Sequence, residues 1–76
     1  MILSDKIIEI IKRSTDNNYD ISTETEFSRD LKIDSFEWLM IINDMEDEFS
    51  IEVDERDIKS FNTVNDIVDA LENKYL

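Results

Sequence analysis

Seventy-six residues with twenty acidic and eight basic side chains carry a formal net charge of -12, a surface that repels nucleic-acid phosphates and anionic headgroups and attracts proteins with basic patches. The chain has no histidine, no cysteine and no glycine, which excludes Ser-His-Asp and Cys-His catalysis, thiolate metal sites, and glycine loops for phosphate or calcium. With 41% apolar residues, it can build one small, marginally stable core.

The first predicted helix runs from Leu3 to about Lys12. Leu3, Ile7, Ile10 and Ile11 fall on one helical face, and Asp5 near the start with Lys12 and Arg13 near the end suits the helix dipole. Thr15-Asp16-Asn17-Asn18 then breaks the pattern with turn-forming residues. Tyr19 to Ile33 reads as a long loop pinned to the core by Tyr19, Ile21, Phe27, Leu31 and Ile33, with a short helical turn near Glu26–Asp30. A loop of that length in a small domain calls for a functional reason.

The second helix is expected over Ser35 to about Phe49, with Asp34 and Ser35 as capping residues and Glu37 in the first turn. Trp38, Ile41, Ile42, Met45 and Phe49 form the face assigned to the core. Phe36, Leu39 and Met40 form another, beside Asn43, Asp44 and Asp47. That second stripe is either covered by the long loop or left open as a docking surface. Ile51 and Val53 are expected to turn inward from an extended connection. A short helix follows at Glu55–Ser60. Thr63 caps a last helix, with Val64, Ile67, Val68, Leu71 and Tyr75 at helical spacing and Asp66 as a weak capping-box partner. The sum is an all-α fold, a small four-helix bundle of three main helices and one short one, with a long loop between the first two.

Asp34-Ser35 is the one candidate for chemistry. Asp-Ser is also an ordinary helix cap, and without a histidine Ser35 has no base to activate it. If the hydroxyl is used, another protein must activate it. Asp54-Glu55-Arg56-Asp57 lacks the ligand pattern of a dedicated cation site, so no metal is assigned.

The run Asp30-Leu31-Lys32-Ile33-Asp34-Ser35-Phe36 resembles the attachment signature of the acyl carrier protein family. The likeness continues through Met45-Glu46-Asp47-Glu48-Phe49-Ser50-Ile51-Glu52-Val53 and Phe61-Asn62-Thr63-Val64-Asn65-Asp66-Ile67-Val68. It covers essentially the whole chain, read as a single carrier-protein domain over residues 1–76. The resemblance implies no catalysis by the chain itself. It implies a 4'-phosphopantetheine arm, moved from coenzyme A to Ser35 by a phosphopantetheinyl transferase with magnesium and holding acyl groups as thioesters. Asp34 would belong to the same attachment site. With no cysteine of its own, the chain needs an imported thiol for thioester chemistry. Phe36, Glu37, Leu39, Met40, Asp44 and Asp47 would form the docking surface for loading ligases or transferases and for synthases with basic surfaces.

Several positions depart from the usual pattern: Lys32 for glycine, Phe36 for leucine, the bulky Trp38, Met40 for an acidic residue and Asp54 for proline. They are consistent with a specialised carrier in fatty acid or polyketide-type synthesis. An aminoacyl carrier, of D-alanyl or nonribosomal peptide type, is the first alternative. An unmodified acidic adaptor is the second. Trp38, close to Ser35, is expected to be mainly a core residue, and its bulk to limit how much acyl chain the bundle can enclose. The chain is expected to be monomeric and cytoplasmic, since no apolar stretch suits a signal peptide or a membrane span.

Overall fold

The computed structural model describes residues 2–15 and 20–76. Four helices follow in order: α1 (Leu3–Thr15), α2 (Ser35–Phe49), α3 (Glu55–Ser60) and α4 (Val64–Ala70). A wider π-type turn over Leu71–Tyr75 extends α4. Among the described residues the only β pairing is the isolated antiparallel bridge between Glu26 and Thr63. The all-α expectation and the bounds of α2 and α3 therefore hold.

α1 runs three residues beyond the expected Lys12. Thr15, expected to begin the break, instead ends the helix, its hydroxyl donating to the Ile11 carbonyl at 2.7 Å. That back-bond lets a β-branched residue finish a helix it would not favour internally. The rest of the expected break, and the pinning role given to Tyr19, lie outside the described residues.

The core is apolar throughout. Ile7 and Ile11 of α1 meet Ile41, Ile42 and Met45 of α2, Val64, Ile67 and Val68 of α4, and Leu71 of the π-type turn. Phe27 and Leu31 close it from the loop, which gives that stretch the anchoring expected of it. Trp38, Phe49 and Ile51 are half-buried against the cluster, and Val53 is buried.

α1 and α2 are cross-linked by charge. Lys6 pairs with Glu48 at 3.3 Å, and Arg13 grips Asp44 at 3.1 Å and Glu48 at 3.5 Å. Lys6 near the start of α1 reaches Glu48, and Arg13 near its end reaches back to Asp44 as well as Glu48, as an antiparallel pair of helices allows.

Caps delimit the helices. Asp34 and Glu37 form a reciprocal capping box on α2, and Thr63 and Asp66 another on α4. The Asp34–Glu37 box was legible as Asp-x-x-Glu but was not expected. Ser50 ends α2 in the left-handed region at φ 55°, with the Ile51 N–H returning to the Glu46 carbonyl at 3.1 Å. This is the usual closure of a helix C-terminus, made without the usual glycine.

Candidate functional site

Ser35 is the first residue of α2 and is exposed. The first N–H groups of a helix have no intrahelical acceptor. The capping box accounts for two of them: Glu37 N–H donates to Asp34 Oδ1 at 2.8 Å, and Asp34 N–H donates to Glu37 Oε1 at 3.3 Å. The N–H groups of Ser35 and Phe36 remain, and among the described residues neither they nor the Ser35 hydroxyl has a partner. An outward hydroxyl beside two open N–H groups at the positive end of a helix is a place where a phosphodiester is tolerated.

The approach to Ser35 is shaped by a left-handed residue. Lys32 sits at φ 51°, and Ile33 N–H then donates to the Phe27 carbonyl at 3.1 Å. The chain turns there so that Ile33 packs inward and Asp34-Ser35 emerges. This explains physically why glycine suits the position of Lys32.

Beside Ser35 lies an open cavity of about 210 Å³, lined by Phe27, Ser28, Ile33, Asp34, Ser35, Trp38, Phe61 and Asn62. Its apolar wall is an aromatic cluster. Trp38 lies 4.8 Å from Phe27 with planes tilted by 43°, and 6.5 Å from Phe61 in an edge-on pair at 82°. Such pairs contribute about 0.5–1.5 kcal/mol each beyond the area they bury. Trp38 therefore both packs on the core and faces the site. The roles of Phe27 and Phe61 as its neighbours were not foreseen, because residues 27, 38 and 61 share no period.

The expected docking residues divide in two. Phe36, Leu39 and Met40 are 70%, 57% and 43% exposed, so the loop does not cover the second stripe of α2. Asp47 is exposed and, among the described residues, forms no ion pair. Glu37 is drawn into the capping box. Asp44 is held on the α1 side by Arg13 in a two-pronged contact, with Ser14 Oγ donating to it at 2.9 Å. Its carboxylate in turn holds the exposed Arg13 guanidinium above its ordinary range.

No group of three or more metal-ligating side chains occurs among the described residues. No helix among them is long and apolar enough to cross a membrane.

Comparisons with known proteins bear on the family and the fold. A family model described as a phosphopantetheine attachment site matches residues 5–71. Acyl carrier proteins of Chlorobium phaeovibrioides and Chlorobium luteolum are each 32% identical over 73 residues, covering 95% of this chain and 94% of theirs. Among solved structures, a candidate acyl carrier protein of Mycobacterium tuberculosis superposes with a TM-score of 0.86 at 27% identity, covering 93% of this chain and 96% of that one.

Proposed function

The chain belongs to the acyl carrier protein family, whose members carry rather than catalyse, and we propose that Ser35 is where it bears the family's 4'-phosphopantetheine. The observation that carries this reading is the exposed, unpartnered Ser35 hydroxyl at the start of α2. When bound, the group supplies the terminal thiol that this cysteine-free chain lacks.

The chain's own residues hold the attachment point and present it. Asp34 stiffens the first turn of α2 through the capping box, which keeps Ser35 at a fixed exit from the core. The open N–H groups of Ser35 and Phe36 favour phosphate oxygens over water there. Phe36, Leu39 and Met40, with Asp47 further along α2, offer apolar anchors rimmed by charge to a transferase, loading enzymes and synthases. The cargo is proposed to be an acyl group of fatty acid or polyketide type, carried by a single domain spanning the chain.

Incubation with coenzyme A, magnesium and a broad-specificity phosphopantetheinyl transferase is expected to add one phosphopantetheine mass. Ser35→Ala should abolish that gain and keep the helical circular dichroism signal. Wild-type protein that stays unmodified while a control carrier is loaded would leave Asp34-Ser35 as a helix cap only.

A further inference from the structure

Given attachment at Ser35, we propose that the Phe27–Trp38–Phe61 cluster seals the core at the root of the arm, and that the cavity outside it is a holding site for a short, uncharged acyl group. This rests on the reading above and names the cargo class for that same site.

Closure follows from where the rings come from. Phe27 belongs to the long loop, Trp38 to α2 and Phe61 to the segment leading into α4. The outer two segments are tied together by hydrogen bonds. Phe27 N–H donates to the Asn62 carbonyl at 2.9 Å, and Asn65 N–H donates to the Thr23 carbonyl at 2.8 Å. The Asn62 side-chain amide donates to Glu26 Oε1 at 3.1 Å. A chain passing between these segments toward Ile41, Val64 and Ile67 would have to separate the rings and break that seam. Those three side chains have 0% exposure, and a core so filled gains nothing by opening unless space is made.

The cavity lies on the near side of the seal, and Ser35 is part of its lining. A cargo reaches it by the arm folding back on its own root. At about 210 Å³ the cavity is smaller than the ~300–1,000 Å³ typical of ligand pockets, which suits a short acyl thioester and not a long chain. Its lining is apolar at Phe27, Ile33, Trp38 and Phe61 and polar at Ser28, Asp34, Ser35 and Asn62. That suits an apolar tail joined to a polar carbonyl. The Asp34 carboxylate and the net charge of -12 weigh against an anionic cargo.

Trp38 is the only tryptophan, so its indole reports on the site alone. The experiment compares the holo chain with its butyryl and dodecanoyl thioesters, following the indole signal and the isoleucine methyls by NMR. Butyryl is expected to shift the Trp38 indole relative to the holo form and to leave the Ile7, Ile41 and Ile67 methyls in place. Dodecanoyl should leave those methyls in place as well. In Trp38→Leu, dodecanoyl should now move them. Core methyls that move in the wild type with dodecanoyl overturn the seal. An indole signal equal in holo and butyryl forms overturns the holding site, because the cavity then takes the arm itself or nothing. Mass spectrometry separates the two levels of failure. A chain that never gains the arm overturns attachment at Ser35 and this inference with it; a loaded chain that gives either adverse signal overturns this inference alone.

Discussion

The two halves of α2 are built on opposite terms. From Ile41 onward most side chains are buried or paired, Asn43 and Asp47 standing exposed. Ile41, Ile42 and Met45 are buried, Asp44 and Glu48 are gripped by Arg13 and Lys6, and Glu46 accepts the Val53 N–H at 2.8 Å. From Ser35 to Met40 the helix instead leaves apolar side chains and a hydroxyl in water. The difference is not one of hydrophobicity, since Leu39 and Ile41 are equally suited to a core. It lies in whether a second element packs above the residue: Trp38 turns inward onto Phe27 and Phe61, but among the described residues nothing covers Phe36, Leu39 and Met40.

The widest separation between the halves should appear on truncating one apolar residue from each. Ile41→Ala should cost about 2–5 kcal/mol, the range for deleting a buried aliphatic side chain, from a total of only roughly 5–15 kcal/mol. Leu39→Ala should stay within about 0.5 kcal/mol and instead speed dissociation of a docked partner. Urea melts of the two variants decide it. Similar losses from both would mean that the first half is structural after all.

A smaller effect is expected just beyond the C-terminal end of α2. The Tyr75 hydroxyl accepts from the Asp54 N–H at 2.8 Å and donates to Asp57, which Lys74 also reaches at 2.8 Å. Tyr75→Phe should cost about 1–2 kcal/mol for the two bonds and leave loading at Ser35 unchanged. Hydrogen bonding by Lys74, then by Tyr75, holds the Asp57 carboxyl below the ordinary carboxylate range. A carboxyl lowered on folding contributes its stability above its unfolded pKa, near 4, and loses it as the pH falls through the lowered folded value. The wild type should therefore lose this tie in acid, and the stability gap between it and Tyr75→Phe should narrow there. A gap that stays constant down to pH 2.5 would separate the tyrosine from the titration of Asp57.

Lys32→Gly probes the approach to Ser35. A left-handed conformation at φ 51° strains a residue with a Cβ by roughly 1–2 kcal/mol, and glycine's greater freedom when unfolded offsets part of the relief. A net gain of about 0.5–1 kcal/mol is expected in the same urea melts. The position also shows what could be read in the sequence and what could not. Lys32 was visible as a departure from the family's glycine, yet the reason, a positive φ, is a backbone fact that a lysine gives no sign of. α2 was legible to both bounds because Asp34 caps it and its inner face has a strict period. The pairing of Asp44 with Arg13 was not, because residues thirty-one apart on separate helices carry no local pattern. For the same reason the aromatic wall of the cavity could be read at Trp38 and not at Phe61.

That hidden pairing sets the last effect, one on rates and not on stability. With Asp44 held by Arg13 and Glu48 shared between Arg13 and Lys6, the charge that α2 offers to a basic partner is less than its acidic residues suggest. Arg13→Ala would release Asp44 toward solvent beside Met40 and Asp47 and remove one positive charge from the same region. Association with a basic partner enzyme should quicken, by no more than about ten-fold, the low end of steering effects. Its dependence on ionic strength should steepen, while dissociation, if the proposed anchors Phe36, Leu39 and Met40 govern it, should change little. Asp44→Asn should slow association only slightly in the wild type and more in the Arg13→Ala background, because only there is the carboxylate free to act. Stopped-flow rates at low and physiological salt measure both. Equal slowing in the two backgrounds would mean that Asp44 steers partners while Arg13 holds it, and the first half of α2 would then share its docking role with the second.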